Sequence, residues 1–385
     1  MWAGVGPTRN YRWLPRSIDN GRMRRAKMFM VLAVGLTGCG RLGFGEGGDD
    51  GAGGNLTNGV VDVSQRAPSV CERLPSLAVA SCPEVDLSLA TTPNGIAAIW
   101  VAVAGGDLMG MDLSKARVAG QATTVKVGSF TASSATYVDG KLIVGGVSTS
   151  RALIHTVPQP IGVGTEIGNF DGEFVGKTTL SHSGVDRVSA TSCASGLTMN
   201  SFDNAWNGSA NTLTVTTART QNIDLTPIAA QSFAVWSTAT SCHYETITSK
   251  TTGTTRQSMS MACPAARLTS RGTEVGMVFE DGTTTGLVID DAATVSVANA
   301  VRIAGARSPR VLWDGTRYWV TYLDATDHIV IGYLDDTGML LTTQLPDAAT
   351  QPKAYELGML DGQPWLFAVG AQDMTLSAAR LCAPI

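Results

Sequence analysis

The sequence WDGTRYWVTY, residues 313–322, places an Asp-Gly pair between two short runs of aromatic and β-branched residues. Such side chains favour strands. Asp-Gly is a strong signal for a tight hairpin, because both central residues of the preferred turn take positive φ. The stretch therefore predicts two antiparallel strands, and residues 309–334 extend the pattern to a unit of several strands.

Similar strands recur along the chain at a steady interval. They begin near Ile96, Gly140, Val185, Ser232, Glu274, Thr316 and Gln363, at spacings of about 44, 45, 47, 42, 42 and 47 residues. The turn signal recurs at Asp139-Gly140, Asp281-Gly282 and Asp361-Gly362. A period in the forties with about four strands per unit is typical of a β-propeller, in which each blade is one four-stranded sheet.

We therefore predict an all-β chain whose residues 60–385 form a seven-bladed β-propeller, with six or eight blades as open alternatives. Tandem β-sandwiches also contain short strands and turns, but they repeat at about one hundred residues. The composition agrees with strands, since the domain is rich in Thr, Ser, Ala, Gly and Val and long helices favour other residues.

The stretch at 313–322 also resembles the propeller-like repeats of bacterial secreted lipoproteins, whose units commonly read W-x-G-x-x-Y/W-x-V-x-Y/W. The matching positions are Trp313, Gly315, Tyr318, Val320 and Tyr322. The other six units match the pattern in part, and the second and third lack the tryptophan.

The last unit supplies about three strands, so we expect the ring to be closed by a strand from the other end of the domain. Residues 60–63 and 85–90 are the candidates. The two ends would then lie side by side, with Cys382 bonded to Cys71 or Cys82.

A second resemblance lies near the N-terminus. Leu36-Thr37-Gly38-Cys39 resembles the lipobox of a bacterial lipoprotein precursor, and it follows the basic residues Arg24, Arg25 and Lys27 and an apolar run at 28–36. This run is shorter than the roughly twenty residues that cross a bilayer as a helix, so it predicts a signal peptide. The resemblance implies that signal peptidase recognises Leu36, Thr37 and Gly38 and that lipid is attached to Cys39.

The predicted organisation has three parts. Residues 1–38 are a leader and lipoprotein signal peptide, with Met23 preferred as the translation start over the longer leader; residues 39–59 are the lipidated cysteine and a tether; and residues 60–385 are the propeller. Nearly half of residues 40–59 are glycine, which predicts a flexible segment that buries little apolar surface. The resemblance implies an extracytoplasmic protein of the cell envelope held to the membrane by covalent lipid, and Gly40 favours the outer membrane.

Charge argues against nucleic acid as a partner. Residues 1–38 contain seven of the 28 basic residues and one of the 32 acidic residues, so the chain from Cys39 onward has a formal net charge of about −10. Such a chain lacks the basic surface that nucleic acids require.

With Cys39 lipidated, six of the seven cysteines remain, an even number suited to three disulfides outside the cytoplasm. They are Cys71, Cys82, Cys193, Cys242, Cys263 and Cys382. Fifteen connectivities are possible, and buried free thiols are the alternative.

The sequence assigns no catalytic residue, no metal site and no cofactor. There are four histidines, none with metal-ligand spacing, and His155 is expected to be a neutral structural residue bonded to a backbone carbonyl. The acid pairs Asp49-Asp50, Asp290-Asp291 and Asp335-Asp336 could bind calcium in turns, but turn hydrogen bonding explains them more simply. Four recurring tryptophans, Trp100, Trp236, Trp319 and Trp365, could form a glycan platform, although packing between blades is the preferred interpretation.

These observations favour a monomeric, non-enzymatic propeller that binds an unknown protein or glycan. The alternative is a hydrolase or lyase that acts on extracellular glycans, and a third hypothesis is a purely structural envelope component with no pocket. Two or more carboxylates converging with a His, Tyr or Arg in the channel mouth would favour the enzyme. A channel lined with Thr, Ser and Ala would favour binding.

Overall fold

The computed structural model describes most of the chain from residue 67 to residue 384. Outside the described residues lie 1–66, 79–86, 103–105, 149–150, 172–173, 184–185, 194–195, 203–210, 217–219, 221, 230, 248–256, 260–261, 283, 294, 296–299, 336–337, 346–351, 353, 371–374 and 385. For strand residues within 170–179, 181–188, 192–196, 200–216 and 257–259 only the backbone is described. The predicted leader, lipobox and tether thus lie outside the described residues. Within the described part, no helix is long and apolar enough to cross a membrane.

The described residues are all-β and fall into strands grouped as antiparallel sheets. Two short strands, β1 (Ser69–Arg73) and β2 (Leu77–Ala78), precede the repeating part. The first sheet contains β3 (Leu87–Thr92), β4 (Gly95–Val101), β5 (Gly106–Ser114), β6 (Thr123–Val138), β7 (Lys141–Ser148), β8 (Arg151–Val157) and β9 (Thr165–Asp171). The next two are β10 (Phe174–Ser183), β11 (Asp186–Cys193), β12 (Gly196–Phe202) and β13 (Asn211–Thr216), then β14 (Asn222–Ile228), β15 (Gln231–Ser237), β16 (Cys242–Ile247) and β17 (Gln257–Met259).

Three further sheets follow. They are β18 (Arg267–Arg271), β19 (Glu274–Asp281), β20 (Thr284–Asp291) and β21 (Val301–Ala304); β22 (Arg307–Trp313), β23 (Tyr318–Leu323), β24 (Ile329–Leu334) and β25 (Leu340–Gln344); and β26 (Ala354–Leu360), β27 (Gln363–Val369) and β28 (Thr375–Cys382). In the last of these sheets, β28 also pairs with β1 and β2. The seven recurring strands predicted from the sequence correspond to β4, β7, β11, β15, β19, β23 and β27, each the second strand of its unit.

The long strand β6 joins two units into the seven-stranded sheet. Its N-terminal part pairs with β5, as at Thr123 and Lys126, whereas the segment from Phe130 to Val138 pairs with β7. When β6 is assigned to both neighbours, the described strands form seven four-stranded units. This grouping supports the predicted count of seven blades, which stays a prediction.

The first strand of each unit contacts the first strand of the next around a closed ring. The order is β3, β6, β10, β14, β18, β22 and β26, and β26 contacts β3 again. This arrangement confirms the predicted all-β propeller architecture. We call these seven strands the inner strands.

The last unit is completed by the N-terminal strand β1, which pairs antiparallel with β28 so that Ser69 lies opposite Cys382. The ends of the domain therefore meet, as predicted, and Cys71 is bonded to Cys382. The strand that completes the last unit is therefore Ser69–Arg73, and the predicted segment 85–90 was wrong. Residues 60–63 lie outside the described residues, and 87–90 belong to β3, the inner strand of the first unit, because their apolar side chains are needed in the core.

Burial explains why the second strands are so apolar. Every residue of β4 and of β23 is buried, since a central strand has a pairing partner on each side and a neighbouring unit against each face. The core consists of clusters between units; one of them joins Trp100 of the first unit to Trp365 and Phe367 of the last.

The Asp-Gly prediction holds for two of four turns. Asp139-Gly140 and Asp361-Gly362 are two-residue hairpin loops in which all four residues have positive φ. In the third, Asp281 still pairs with Thr284, so the loop begins one residue later, at Gly282. In the fourth, Trp313 pairs with Tyr318 across a four-residue loop.

The Asp314 carboxylate holds that four-residue loop together. One oxygen accepts hydrogen bonds from the backbone N–H groups of Thr316 at 2.7 Å and Arg317 at 2.8 Å. The other oxygen accepts one from the Trp319 indole at 2.7 Å. These bonds replace the two-residue turn that the sequence predicted.

Candidate functional site

The candidate site is the central channel, where the inner strands enclose a cavity of about 220 Å³. Every inner strand contributes to its wall. The lining residues are Ser88, Leu89, Ser134, Ala135, Leu180, Asp224, Leu225, Arg267, Leu268, Thr269, Val311, Leu312, Glu356 and Leu357. The wall therefore combines leucines, small residues, hydroxyls and three charged groups.

Polar side chains of the wall bond one inner strand to the next. The Ser88 hydroxyl donates to the Ser133 carbonyl at 2.9 Å. The hydroxyl oxygen of Thr269 accepts from the Trp313 backbone N–H at 3.0 Å. These bonds join neighbouring inner strands, so part of the channel polarity stabilises the ring.

Both acidic groups of the wall are also engaged. Asp224 accepts a 2.8 Å hydrogen bond from the backbone N–H of Leu268. Glu356 forms a 3.0 Å ion pair with Arg310 and accepts a 3.1 Å bond from the backbone N–H of Leu357.

The third charged group, Arg267, behaves differently. Its Nη1 donates to the Ala266 carbonyl at 2.9 Å and to the Asn222 side chain at 3.4 Å. Its Nε is buried and has no hydrogen-bond partner among the described residues. Among those residues it forms no ion pair with Asp224 or Glu356 within 4.0 Å.

A strained segment lies beside Glu356. Ser308 has a φ of 51°, a conformation that costs a residue with a side chain roughly 1–3 kcal/mol and that often occurs at functional sites. The surrounding contacts hold it in place: its N–H donates to Glu280, and its carbonyl accepts from the Tyr355 hydroxyl and from Arg310. Burial raises the pKa of Tyr355, so this hydroxyl stays protonated and donates.

Sequence reasoning missed these channel residues, although a signal was available. Asp224 and Leu268 are 44 residues apart, Arg310 and Glu356 are 46 apart, and Ser88 and Ser133 are 45 apart. Aligning the first strand of each unit at the repeat period would have brought them together.

The structure pairs four of the six predicted disulfide cysteines, Cys71 with Cys382 and Cys242 with Cys263. Cys82 lies outside the described residues, and Cys193 is described only as a backbone position of β11. The third predicted bond therefore stays a prediction. The predicted lipobox lies outside the described residues as well; its residues are Leu36, Thr37, Gly38 and Cys39.

His155 is fully buried on β8. The prediction that it bonds to a backbone carbonyl was wrong. Neither ring nitrogen has a hydrogen-bond partner among the described residues, because its neighbours in the core are largely apolar. Burial, reinforced by the charge of Lys126, lowers the pKa of His155 to about 4, so the ring is neutral at pH 7.

The acid pairs serve their own turns. Asp290 accepts from the N–H of Asp291, Asp291 from that of Ala293, and Asp335 from that of Met339, each at 2.9 Å. Among the described residues, no three His, Cys, Asp or Glu side chains group closely enough to hold a metal ion. Asp49, Asp50 and Asp336 lie outside those residues.

The recurring tryptophans are packing residues. Trp100, Trp236, Trp319 and Trp365 are each 1% exposed and belong to the clusters between units. Side chains so completely covered cannot form a surface platform for a glycan.

No protein-family profile matches this chain, and no curated protein resembles it in sequence. Solved structures do resemble its fold. The WD40 domain of coronin from Toxoplasma gondii superposes with a TM-score of 0.58 at 12% identity, covering 83% of this chain and 87% of that one. Kuenenia stuttgartiensis hydrazine synthase gives 0.56 at 12% identity, covering 79% and 97%. A chain of a mitotic checkpoint complex gives 0.56 at 14% identity, covering 88% and 98%. At these identities the likeness concerns the fold alone.

Proposed function

We propose that this protein is a lipid-anchored, extracytoplasmic β-propeller that binds a ligand or partner and catalyses no reaction. The observation that carries the binding assignment is the state of the two channel carboxylates. Asp224 is bonded to the backbone of the next inner strand, and Glu356 is paired with Arg310. A catalytic acid or base must instead be positioned toward a substrate proton.

The channel matches neither the lining expected of an enzyme nor the lining of Thr, Ser and Ala expected of a binding channel. It contains carboxylates and an arginine, the set expected of an enzyme, but the contacts of these carboxylates stabilise the ring. Its remaining polar groups are Ser88, Ser134 and Thr269, the types expected of a binding channel. A polar cavity with committed acids supports binding more than hydrolysis.

Support for the location comes from two sources. The lipobox-like sequence at 36–39 implies lipid on Cys39. The bonds Cys71–Cys382 and Cys242–Cys263 fit an oxidising compartment, because disulfides rarely persist in the cytosol. Anchoring by covalent lipid would present the channel outside the cytoplasm.

Cell fractionation tests the anchor. The full chain should sediment with membranes and its Cys39→Ser variant should become soluble, because stable anchoring requires acyl chains. Cys82→Ser, a matched change outside the lipobox, should remain with the membranes. If Cys39→Ser stays in the membrane fraction to the same extent, the proposed anchor is wrong.

Capture from the native envelope tests the binding role. The full chain should retain a defined partner or glycan and should release no reducing ends from extracellular polysaccharides. Polysaccharide cleavage that Glu356→Gln or Asp224→Asn abolishes would establish the hydrolase or lyase instead.

A further inference from the structure

We propose that the channel binds a small hydroxycarboxylate, such as a sugar acid, with Arg267 holding its carboxylate. This inference deepens the proposed binding function and rests on it. Arg267 is the one cationic side chain of the described channel wall.

Hydrogen bonds fix the position of the Arg267 guanidinium and leave part of it available to a ligand. Nη1 is engaged with Ala266 and Asn222, which orients the guanidinium plane. Nε is buried and has no hydrogen-bond partner among the described residues. The edge formed by Nε and Nη2 matches the two oxygens of a carboxylate. A buried donor without a partner costs roughly 1–3 kcal/mol, and a bound carboxylate would remove that cost.

A second group points to a ligand with hydroxyls. Ser134 is 6% exposed, lines the same cavity, and its hydroxyl has no hydrogen-bond partner among the described residues. The Thr269 oxygen accepts from Trp313, so its proton can still be donated. Hydroxyl groups of a ligand suit both positions because they donate and accept.

The acidic residues of the wall limit the negative charge that a bound ligand can carry. Asp224 and Glu356 line the cavity together with Arg267, and Glu356 is already balanced by Arg310. A dianion such as phosphate would meet two carboxylates with only one uncommitted cation. Asp224 and Arg267 together carry no net charge, so a monoanion adds less negative charge to the cavity than a dianion does, and its hydroxyls can donate to the carboxylate oxygens.

The cavity also limits ligand size. Its volume of about 220 Å³ is below the roughly 300–1,000 Å³ of sites for drug-sized molecules. A monosaccharide acid is of suitable size, whereas a folded partner could contact only the channel mouth.

Calorimetric titration of the full chain tests the proposal with three probes: D-glucuronate, D-glucose and inorganic phosphate. Glucuronate should bind with a Kd of about 1 mM or tighter. At about pH 8, where phosphate is mostly dianionic, glucose, which lacks the carboxylate, and phosphate should each bind about tenfold more weakly or not at all.

Variants assign the site. Arg267→Gln should weaken glucuronate about tenfold and Ser134→Ala about threefold. Arg271→Gln is the matched control, since Arg271 lies on the same strand but stacks on the Trp313 ring; it should bind as the parent chain does. If Arg267→Gln does not fold, Arg267→Lys serves instead. Lysine keeps the charge but lacks the paired N–H donors of the guanidinium, so it should still weaken binding.

Three results would overturn the proposal: no heat from glucuronate at about 10 mM, unchanged affinity in the Arg267 and Ser134 variants, or phosphate binding as tightly as glucuronate. None of them bears on membrane anchoring, which the Cys39 variant tests separately. If the chain captures an envelope partner but does not bind glucuronate, the proposed function stands and the proposed ligand is wrong.

Discussion

The carboxylate of Asp224 accepts a 2.8 Å hydrogen bond from the backbone N–H of Leu268, which lies 44 residues further along the chain on the neighbouring inner strand. The same separation joins the Thr226 hydroxyl to Ser270 at 3.2 Å. The repeat period in the sequence is therefore also the register between units, and side chains of the inner strands maintain it.

Removing the Asp224 carboxylate should destabilise the ring. We expect Asp224→Ala to lower the free energy of unfolding by about 1–3 kcal/mol, because the Leu268 N–H loses its acceptor. Asp139→Asn is the control, since Asn also suits a hairpin turn with positive φ. Urea denaturation of both variants measures the difference; equal stabilities would show that the hydrogen bond between units contributes little.

The two disulfides should differ in importance. Cys71–Cys382 closes a sequence separation of 311 residues and Cys242–Cys263 one of 21. By loop entropy the first contributes on the order of 5 kcal/mol and the second about 3 kcal/mol. We therefore expect Cys71→Ser with Cys382→Ser to destabilise the protein more than Cys242→Ser with Cys263→Ser.

Denaturation under non-reducing conditions compares the two double variants. If the Cys71 and Cys382 variant is as stable as the parent chain, the pairing of β1 with β28 closes the ring without covalent help. If the Cys242 and Cys263 variant is the less stable of the two, loop length does not determine how much each disulfide stabilises the fold.

Asp314 should make the loop before β23 sensitive to acid. Burial alone would raise the pKa of Asp314, but hydrogen bonds from Trp319, Arg317 and Thr316 outweigh it and lower the pKa below its usual value. This stabilisation is therefore fully present above the unfolded pKa of about 4 and is lost as the pH falls through the lower folded value.

We expect Asp314→Asn to be about 1–2 kcal/mol less stable than the parent chain at pH 7, with the gap closing below about pH 4. Thermal melts from pH 7 to pH 2.5 measure it. A gap that persists unchanged at the lowest pH would rule out the charged form as the stabilising species.

His155 should cause a loss of stability at milder acidity. Its pKa is about 4 in the fold and about 6.5 when unfolded, so the unfolded chain takes up the proton first. Stability attributable to this residue is complete above about pH 6.5 and falls by up to about 3 kcal/mol toward pH 4. His155→Leu should lack this fall, whereas the partly exposed His328→Gln should retain it. If the free energy of unfolding falls equally with pH in His155→Leu and in the parent chain, the prediction is wrong.

Much of the fold could be predicted because the second strand of each unit is buried on both faces. That burial produces the apolar, tryptophan-bearing runs whose spacing indicates a propeller. The closing strand could not be identified in this way. Ser69–Arg73 is an edge strand with no fully buried residue, so it has no apolar run, and only Cys71 indicated its partner.

The channel was harder to predict for a related reason. Inner strands such as β18 have mixed side chains, since they face other units and the cavity at once. Arg267 and Ser134 line one cavity only because the ring closes. No local pattern brings two residues of different units together, whereas the predicted lipobox is a contiguous stretch of sequence.

We propose that lipid on Cys39 fastens this propeller to a membrane. Intact-mass and N-terminal peptide analysis of the full-length gene product, extracted from native membranes, tests it most directly. We expect a chain that begins at Cys39 and carries the added mass of acyl groups on that residue. A membrane-derived chain that retains residues upstream of Cys39, or that begins there with an unmodified thiol, would contradict it.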